Sequence, residues 1–139
     1  MIILDTNVLS ALMQKNGDKC VITWLNSVAV ESVWITSITL FETNFGLQLL
    51  PESKRRTTLT SQFKQVVETD LDGRVLLFDR DAAVRAAQLA AKRRKQGKSV
   101  DMRDTFIAGI ALSNQAAIAT RNERHFQGLE VDVINPWTV

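Results

Sequence analysis

Three apolar residues, "IIL" at positions 2–4, run directly into an acid, Asp5. Short apolar runs bounded by polar residues read as buried strands, and the pattern recurs at "VWITS", "RVLLF", "AAIAT" and "VDVI". Between these runs the apolar positions fall at helical spacing. Positions 7–14 predict a short helix, and "DKCVITWLNSV" brings Val21, Trp24, Leu25 and Val28 onto one helical face. "TLFETNFGLQLL" predicts a helix stopped by Pro51, and "ESKRRTTLTSQFKQVVETDL" predicts a longer one. A turn at Asp72–Gly73 then leads into "RVLLF". Asp79 is placed to cap "RDAAVRAAQLAAKRRKQG", an alanine-rich helix that ends in basic residues, as the helix dipole favours, and stops at Gly97. "DTFIAGIALSNQ" predicts a further helix. Strands alternating with helices predict an α/β sandwich around a mostly parallel sheet. A length of 139 residues, with no repeat and no linker, predicts one domain over residues 1–139.

Composition narrows the function classes. Apolar residues make up 45% of the chain, enough for a core and too many for a disordered tail. The longest apolar stretch, "FIAGIAL", is far short of the roughly 20 residues that span a bilayer. The start of the chain lacks a basic segment and its apolar run is cut by Asp5, which argues against a secretory signal. Cys20 is the single cysteine, so there is neither an intrachain disulfide nor a thiolate zinc site, and a reducing cytoplasm is expected. His125 is the single histidine, which excludes chemistry that needs a histidine pair. No G-x-S-x-G elbow supports a serine triad. Net charge is only +2, but the basic residues cluster in "KRR" at 54–56 and "KRRKQGK" at 92–98. Such clusters serve a phosphate backbone or simply a solvated helix end.

The acids carry the candidate chemistry. Ligands of a parallel α/β sheet sit at the carboxyl ends of its strands. Asp5 follows the first predicted strand, Glu42 lies in the helix after "VWITS", Asp104 stands in the first turn of "DTFIAGIAL", and Asn122 follows "AAIAT". Converging carboxylates repel unless a cation stands among them, and an oxygen-only donor set suits Mg²⁺ or Mn²⁺. Each residue also has a local structural reading. Asp5 suits a helix N-cap. Glu42 is three residues beyond Thr39, so "TLFE" matches a capping box. Asp101 and Asp104 share that spacing in "DMRD", and for Asp101 a cap or a supporting place behind the site is the better reading. Asn122 suits a turn.

Four segments, "MIILDTNVLS", "SITLFETNFG", "DMRDTFIAGIAL" and "IATRNERHF", resemble in order and spacing the signature segments of PIN-domain ribonucleases, most nearly the VapC-type and FitB-type toxins of bacterial toxin–antitoxin pairs. The ending "VINPW" is also similar to the FitB type. The resemblance implies a three-layer α/β/α sandwich with Asp5, Glu42 and Asp104 as the catalytic, metal-holding acids. It places Thr6, Asn7 and Thr120 as small polar supports. Asn122 stands where many relatives carry a fourth acid, which leaves the number of metals open, and Asp101 is an additional neighbouring acid. The implied reaction is hydrolysis of an RNA phosphodiester by water activated with Mg²⁺ or Mn²⁺, leaving a 5′-phosphate and a 3′-hydroxyl. Basic residues, among them Lys54 to Arg56, Arg103, Arg121 and Arg124, are candidates to hold the strand. The implied partners are a second copy of the chain and a cognate antitoxin in the bacterial cytoplasm. A guanidinium from the antitoxin would pair with the acids, and the antitoxin would carry the contact to operator DNA. Two other readings stand beside this one. A catalytically weak module would bind the antitoxin and act as a co-repressor. A phosphatase with an aspartyl nucleophile at Asp5 ranks last, because position 7 is Asn where that chemistry wants a second acid.

Overall fold

The computed structural model describes residues 1–139. Its centre is a five-stranded, all-parallel sheet in the order β3-β2-β1-β4-β5. The strands are β1 (Ile2–Leu4), β2 (Val33–Thr36), β3 (Val75–Leu76), β4 (Ala117–Ala119) and β5 (Val133–Ile134). They are short and nearly continuous in apolar residues, as strands covered on both faces must be. Six helices cover the two faces: α1 (Thr6–Leu12), α2 (Lys19–Asn26), α3 (Ser37–Leu49), α4 (Lys54–Gln65), α5 (Arg80–Lys95) and α6 (Met102–Asn114). None is long and apolar enough to cross a membrane.

The alternation of side chains along a strand divides the core in two. Ile3 and Ile118 face Ile107, Ala108, Ile110 and Ala111 of α6 and Ala82 of α5. Leu4 and Ala119, their chain neighbours, face Val8, Ala11, Val21 and Trp24 of α1 and α2. A smaller cluster of Leu9, Leu47 and Phe63 ties α1, α3 and α4 together. This is the expected three-layer sandwich. β1 lies between β2 and β4, with Ile2 opposite both Val33 and Ala117. The strand order therefore reverses at β1, and the crevice beside it is the ligand position of such a sheet.

Three local expectations shift. The helix after "VWITS" begins at Ser37, capped by Thr36 Oγ1, which accepts from the Thr39 N–H at 3.2 Å. Thr39 is thus inside α3 and Glu42 lies beyond the first turn, so the capping box is not formed. The long helix ends at Gln65 and widens into a π turn over Val66–Asp70. β3 keeps only two residues of "RVLLF", because the Phe78 N–H is taken by Ser37 Oγ at 3.0 Å instead of a ladder partner.

The chain's end latches onto its beginning. Trp137 Nε1 donates to Asp18 Oδ2 at 3.1 Å, while Asp18 Oδ1 caps α2 by accepting from the N–H groups of Cys20 and Val21. The indole hydrogen bond, backed by those two backbone donors, holds the Asp18 carboxyl below its ordinary value. A lowered folded pKa contributes stability that is present above the unfolded value, about 4, and fades as pH falls through the folded value. The melting-temperature gap between the wild type and Trp137→Phe should therefore be full at neutral pH and shrink below about pH 4. A gap constant from neutral pH into the acid range would remove Asp18 from this linkage.

Candidate active site

The acids meet at the carboxyl end of the sheet, beside the point where strand order reverses. Asp5 leaves β1 with its backbone N–H bonded to the Ala119 carbonyl of β4 at 2.9 Å. It does cap α1, Oδ1 accepting from the Thr6 N–H at 2.8 Å, and it remains within the acid cluster while doing so. Its Oδ2 accepts from the Thr120 hydroxyl at 2.8 Å and from Asn7 Nδ2 at 3.2 Å. Glu42 reaches in from the second turn of α3, Oε1 accepting from the Thr6 hydroxyl at 2.9 Å. Asp104 sits in the first turn of α6. Asp101 is the N-cap of that helix, accepting from the Asp104 N–H at 2.8 Å, and so takes the capping role expected of it.

At the centre of the three acids lies Arg103. Its Nη2 is 2.6 Å from Asp5 Oδ1, its Nη1 is 2.5 Å from Asp104 Oδ1, and its Nε donates to Glu42 Oε2. Each nitrogen of the fork serves a different carboxylate, and Nη2 also donates to the Thr6 hydroxyl at 2.9 Å. Asp5 and Asp104 are almost fully buried, at 1% and 5% side-chain exposure, whereas Glu42 and Arg103 keep 27% and 30%. Burial works against the Arg103 charge, but the charges and hydrogen bonds of Asp5 and Glu42 outweigh it and raise its pKa above the ordinary arginine value. Burial also raises the Asp104 carboxyl, and the neighbouring guanidinium offsets only part of that.

The other candidate residues fall in different places. Thr6, Asn7 and Thr120 are inside the network; Asn7 also accepts from the Arg121 N–H at 3.0 Å. Asn122 enters through its backbone, its N–H donating to Thr120 Oγ1 at 3.0 Å. The Arg121 guanidinium rests on the Trp137 ring at 4.7 Å, where it stacks instead of joining the acids. Arg124 lines a cavity of about 390 Å³ that Asp104 also lines, together with Arg93, Lys98 and His125. Sequence reasoning overlooked two contacts. His125 Nδ1 lies 2.8 Å from Asp104 Oδ2, and Arg103 stands among the acids instead of beside them. The adjacency of Arg103 and Asp104 was visible in "DMRD"; the pairing with Asp5 and Glu42 was not.

The donor set fits a hard divalent cation in kind: three carboxylates, threonine hydroxyls and an asparagine amide, with no sulfur and one imidazole, that of His125, paired to Asp104 at its edge. The carboxylates gather around a positive group, as an electronegative centre requires. In this conformation the group is a guanidinium, and no three acidic side chains close on one point as they would around a single ion.

The PIN domain profile matches residues 2–130. The chain belongs to the PIN-domain family. Among curated relatives, VapC ribonuclease Y4jK of Sinorhizobium fredii is 38% identical over 137 residues, covering 99% of this chain and 98% of its own. Toxin FitB of Neisseria gonorrhoeae is 34% identical over 137 residues, with 99% of each chain covered. Among solved structures, FitAB bound to the IR36 DNA fragment matches with a TM-score of 0.90 at 33% identity, over 100% of this chain and 97% of that one. The likeness of this PIN domain to those proteins thus runs from β1 through the C-terminal latch.

Proposed function

We propose that this PIN domain is the toxin of a type II toxin–antitoxin pair and an endoribonuclease dependent on Mg²⁺ or Mn²⁺. The observation that carries the reading is the gathering of Asp5, Glu42 and Asp104, from three separate segments, around one positive group at the switch point of the sheet. Relatives of nearly equal length named as a ribonuclease and as a toxin support it.

Asp5, Glu42 and Asp104 would hold the cation, which when bound neutralises phosphate charge and lowers the pKa of water. Thr120, Asn7 and the Thr6 N–H fix both Asp5 oxygens, so the first acid is oriented before any ligand arrives. The Thr6 hydroxyl holds Glu42 in the same way. Arg93, Lys98 and Arg124, along the cavity beside Asp104, offer positive charge to the phosphates of an RNA strand. Water adds to phosphorus and the 3′-oxygen leaves with a proton, giving a 5′-phosphate and a 3′-hydroxyl.

The partners in this reading are a cognate antitoxin, a second copy of the chain, and operator DNA reached through the antitoxin. Support comes from the DNA-bound FitAB assembly and from the outer face of α3. Phe41 and Phe45 stack there at 5.8 Å, with Leu49 one turn further on, all more than half exposed, and an apolar stripe of this kind marks a protein-binding surface.

The test is cleavage of an end-labelled, mixed RNA pool by antitoxin-free protein. Cuts are expected with Mg²⁺ or Mn²⁺ and none in EDTA, and the downstream fragments should be degraded by an exonuclease that requires a 5′-phosphate. Cutting that persists in EDTA would overturn the metal dependence. A second reading, a co-repressor with little catalysis, draws on Asn122 in the fourth-acid position and on the ion-paired state of the acids. Absence of cleavage with either metal, from protein that is folded and still binds its antitoxin, would favour it.

A further inference from the structure

We propose that Arg103 is the resident cation of the acid centre, and that a divalent metal enters by exchange with its guanidinium. Arg103 then sets the metal concentration at which the site fills. The inference rests on the metal-dependent reading above and adds a residue that the reading does not require.

Three observations carry it. First, each nitrogen of the guanidinium is engaged by an acid: Nε, Nη1 and Nη2 each take a different carboxylate, and Nη2 also donates to Thr6 Oγ1. An ordinary surface ion pair engages one partner, is screened by solvent and holds weakly. Here two of the three partners are buried, so their repulsion is poorly screened and the positive charge between them matters more. Second, the acids commit their other oxygens elsewhere, Asp5 Oδ2 to Thr120 and Asn7, Asp104 Oδ2 to His125 and Glu42 Oε1 to Thr6, and Asp5 Oδ1 has only the Thr6 N–H beside Arg103. The oxygens that face Arg103 are therefore the ones a metal would need, and the two cations compete for the same atoms. Third, Arg103 projects from the first turn of α6 and remains part-exposed, so its long side chain can leave toward solvent while α6 stays in place. The exchange substitutes a charge of two for a charge of one against three carboxylates. That favours the metal, but only above a threshold set by the guanidinium contacts it must break.

The experiment is Mn²⁺ binding without RNA, followed by electron paramagnetic resonance of the free ion, for the wild type, Arg103→Met and Arg103→Lys. Arg103→Met keeps an unbranched stem and removes the competitor. Its affinity for Mn²⁺ should rise on the order of tenfold to a hundredfold, the usual span of coupling between two linked sites. Arg103→Lys, a single charge without a fork, should fall between. In EDTA, Arg103→Met should melt below the wild type, and Mn²⁺ should restore it. Wild-type protein supplies a measurement that needs no variant: the Arg103 Nε–H NMR signal, protected in EDTA, should shift and exchange faster as Mg²⁺ saturates. Equal Mn²⁺ affinity in the wild type and a folded Arg103→Met, or an Nε–H signal unmoved at saturating Mg²⁺, overturns the exchange and leaves the nuclease reading standing. No Mn²⁺ or Mg²⁺ binding by any of the three proteins removes the metal-dependent reading, and the exchange with it.

Discussion

Asp5→Asn is expected to lower RNA cleavage on the order of 10²–10³-fold or more, the scale of losing a group that organises transition-state charge. Asp5 is the most enclosed of the three acids, and four side chains or backbone groups converge on its two oxygens. An asparagine keeps the shape and can still accept from the Thr6 N–H, so α1 retains its cap. Its amide nitrogen would face the Asn7 amide, and the Thr120 hydroxyl would turn to accept where it now donates. The stability cost should stay near the 1–3 kcal/mol of a disturbed buried hydrogen bond, well below the effect on catalysis. Cleavage kinetics in Mg²⁺, set beside circular dichroism and thermal melting of the same protein, separate the two effects. A folded Asp5→Asn that cuts at the wild-type rate would take this acid out of the chemistry.

Gly109→Ala is expected to destabilise the fold by about 1–3 kcal/mol or somewhat more, a large effect for one methyl group. Gly109 is on the face of α6 that crosses α5. A Cβ there would come within 2.5 Å of the Ala82 carbonyl oxygen, 2.8 Å of Ala86 Cβ and 3.0 Å of the Ala86 nitrogen. Two of these atoms are backbone, so α5 itself must retreat. The better helix propensity of alanine returns only about 1 kcal/mol. The retreat would also loosen Ile107, Ala108 and Ile110, the core contacts that seat the helix carrying Asp104. Urea unfolding should show a lower midpoint, together with weaker RNA cleavage. An unchanged midpoint would mean that α5 and α6 adjust without strain.

Much of this protein is local in origin and therefore legible along the chain. Apolar runs and turn residues mark the strands. Asp79 and Asp101 cap their helices because a carboxylate accepts from an N–H three residues on, a contact within one turn. Asp5 and Glu42 were visible because α/β order places residues that follow strands near one edge, whereas Asp104, which follows α5 and no strand, was visible only as an acid in the first turn of its helix.

What the tertiary structure decided lies between segments. Whether Glu42 closes a capping box or reaches Thr6 and Arg103 depends on where α3 begins, and Ser37 is drawn into the helix while its hydroxyl bonds the Phe78 N–H from across the sheet. Arg121, adjacent to the site in sequence, is drawn onto Trp137 at the other end of the chain. His125 meets Asp104 only because the 3₁₀ turn Glu123–Phe126 is anchored by buried Phe126. Arg103 and Asp5 are separated by 98 positions, yet their pairing defines the charge state of the centre. Sequence periodicity records which face of an element is apolar, not which residue of a distant element will stand opposite it. That is settled by the order β3-β2-β1-β4-β5 and by the close crossing of α5 on α6 at Gly109, which together aim one guanidinium at three acids.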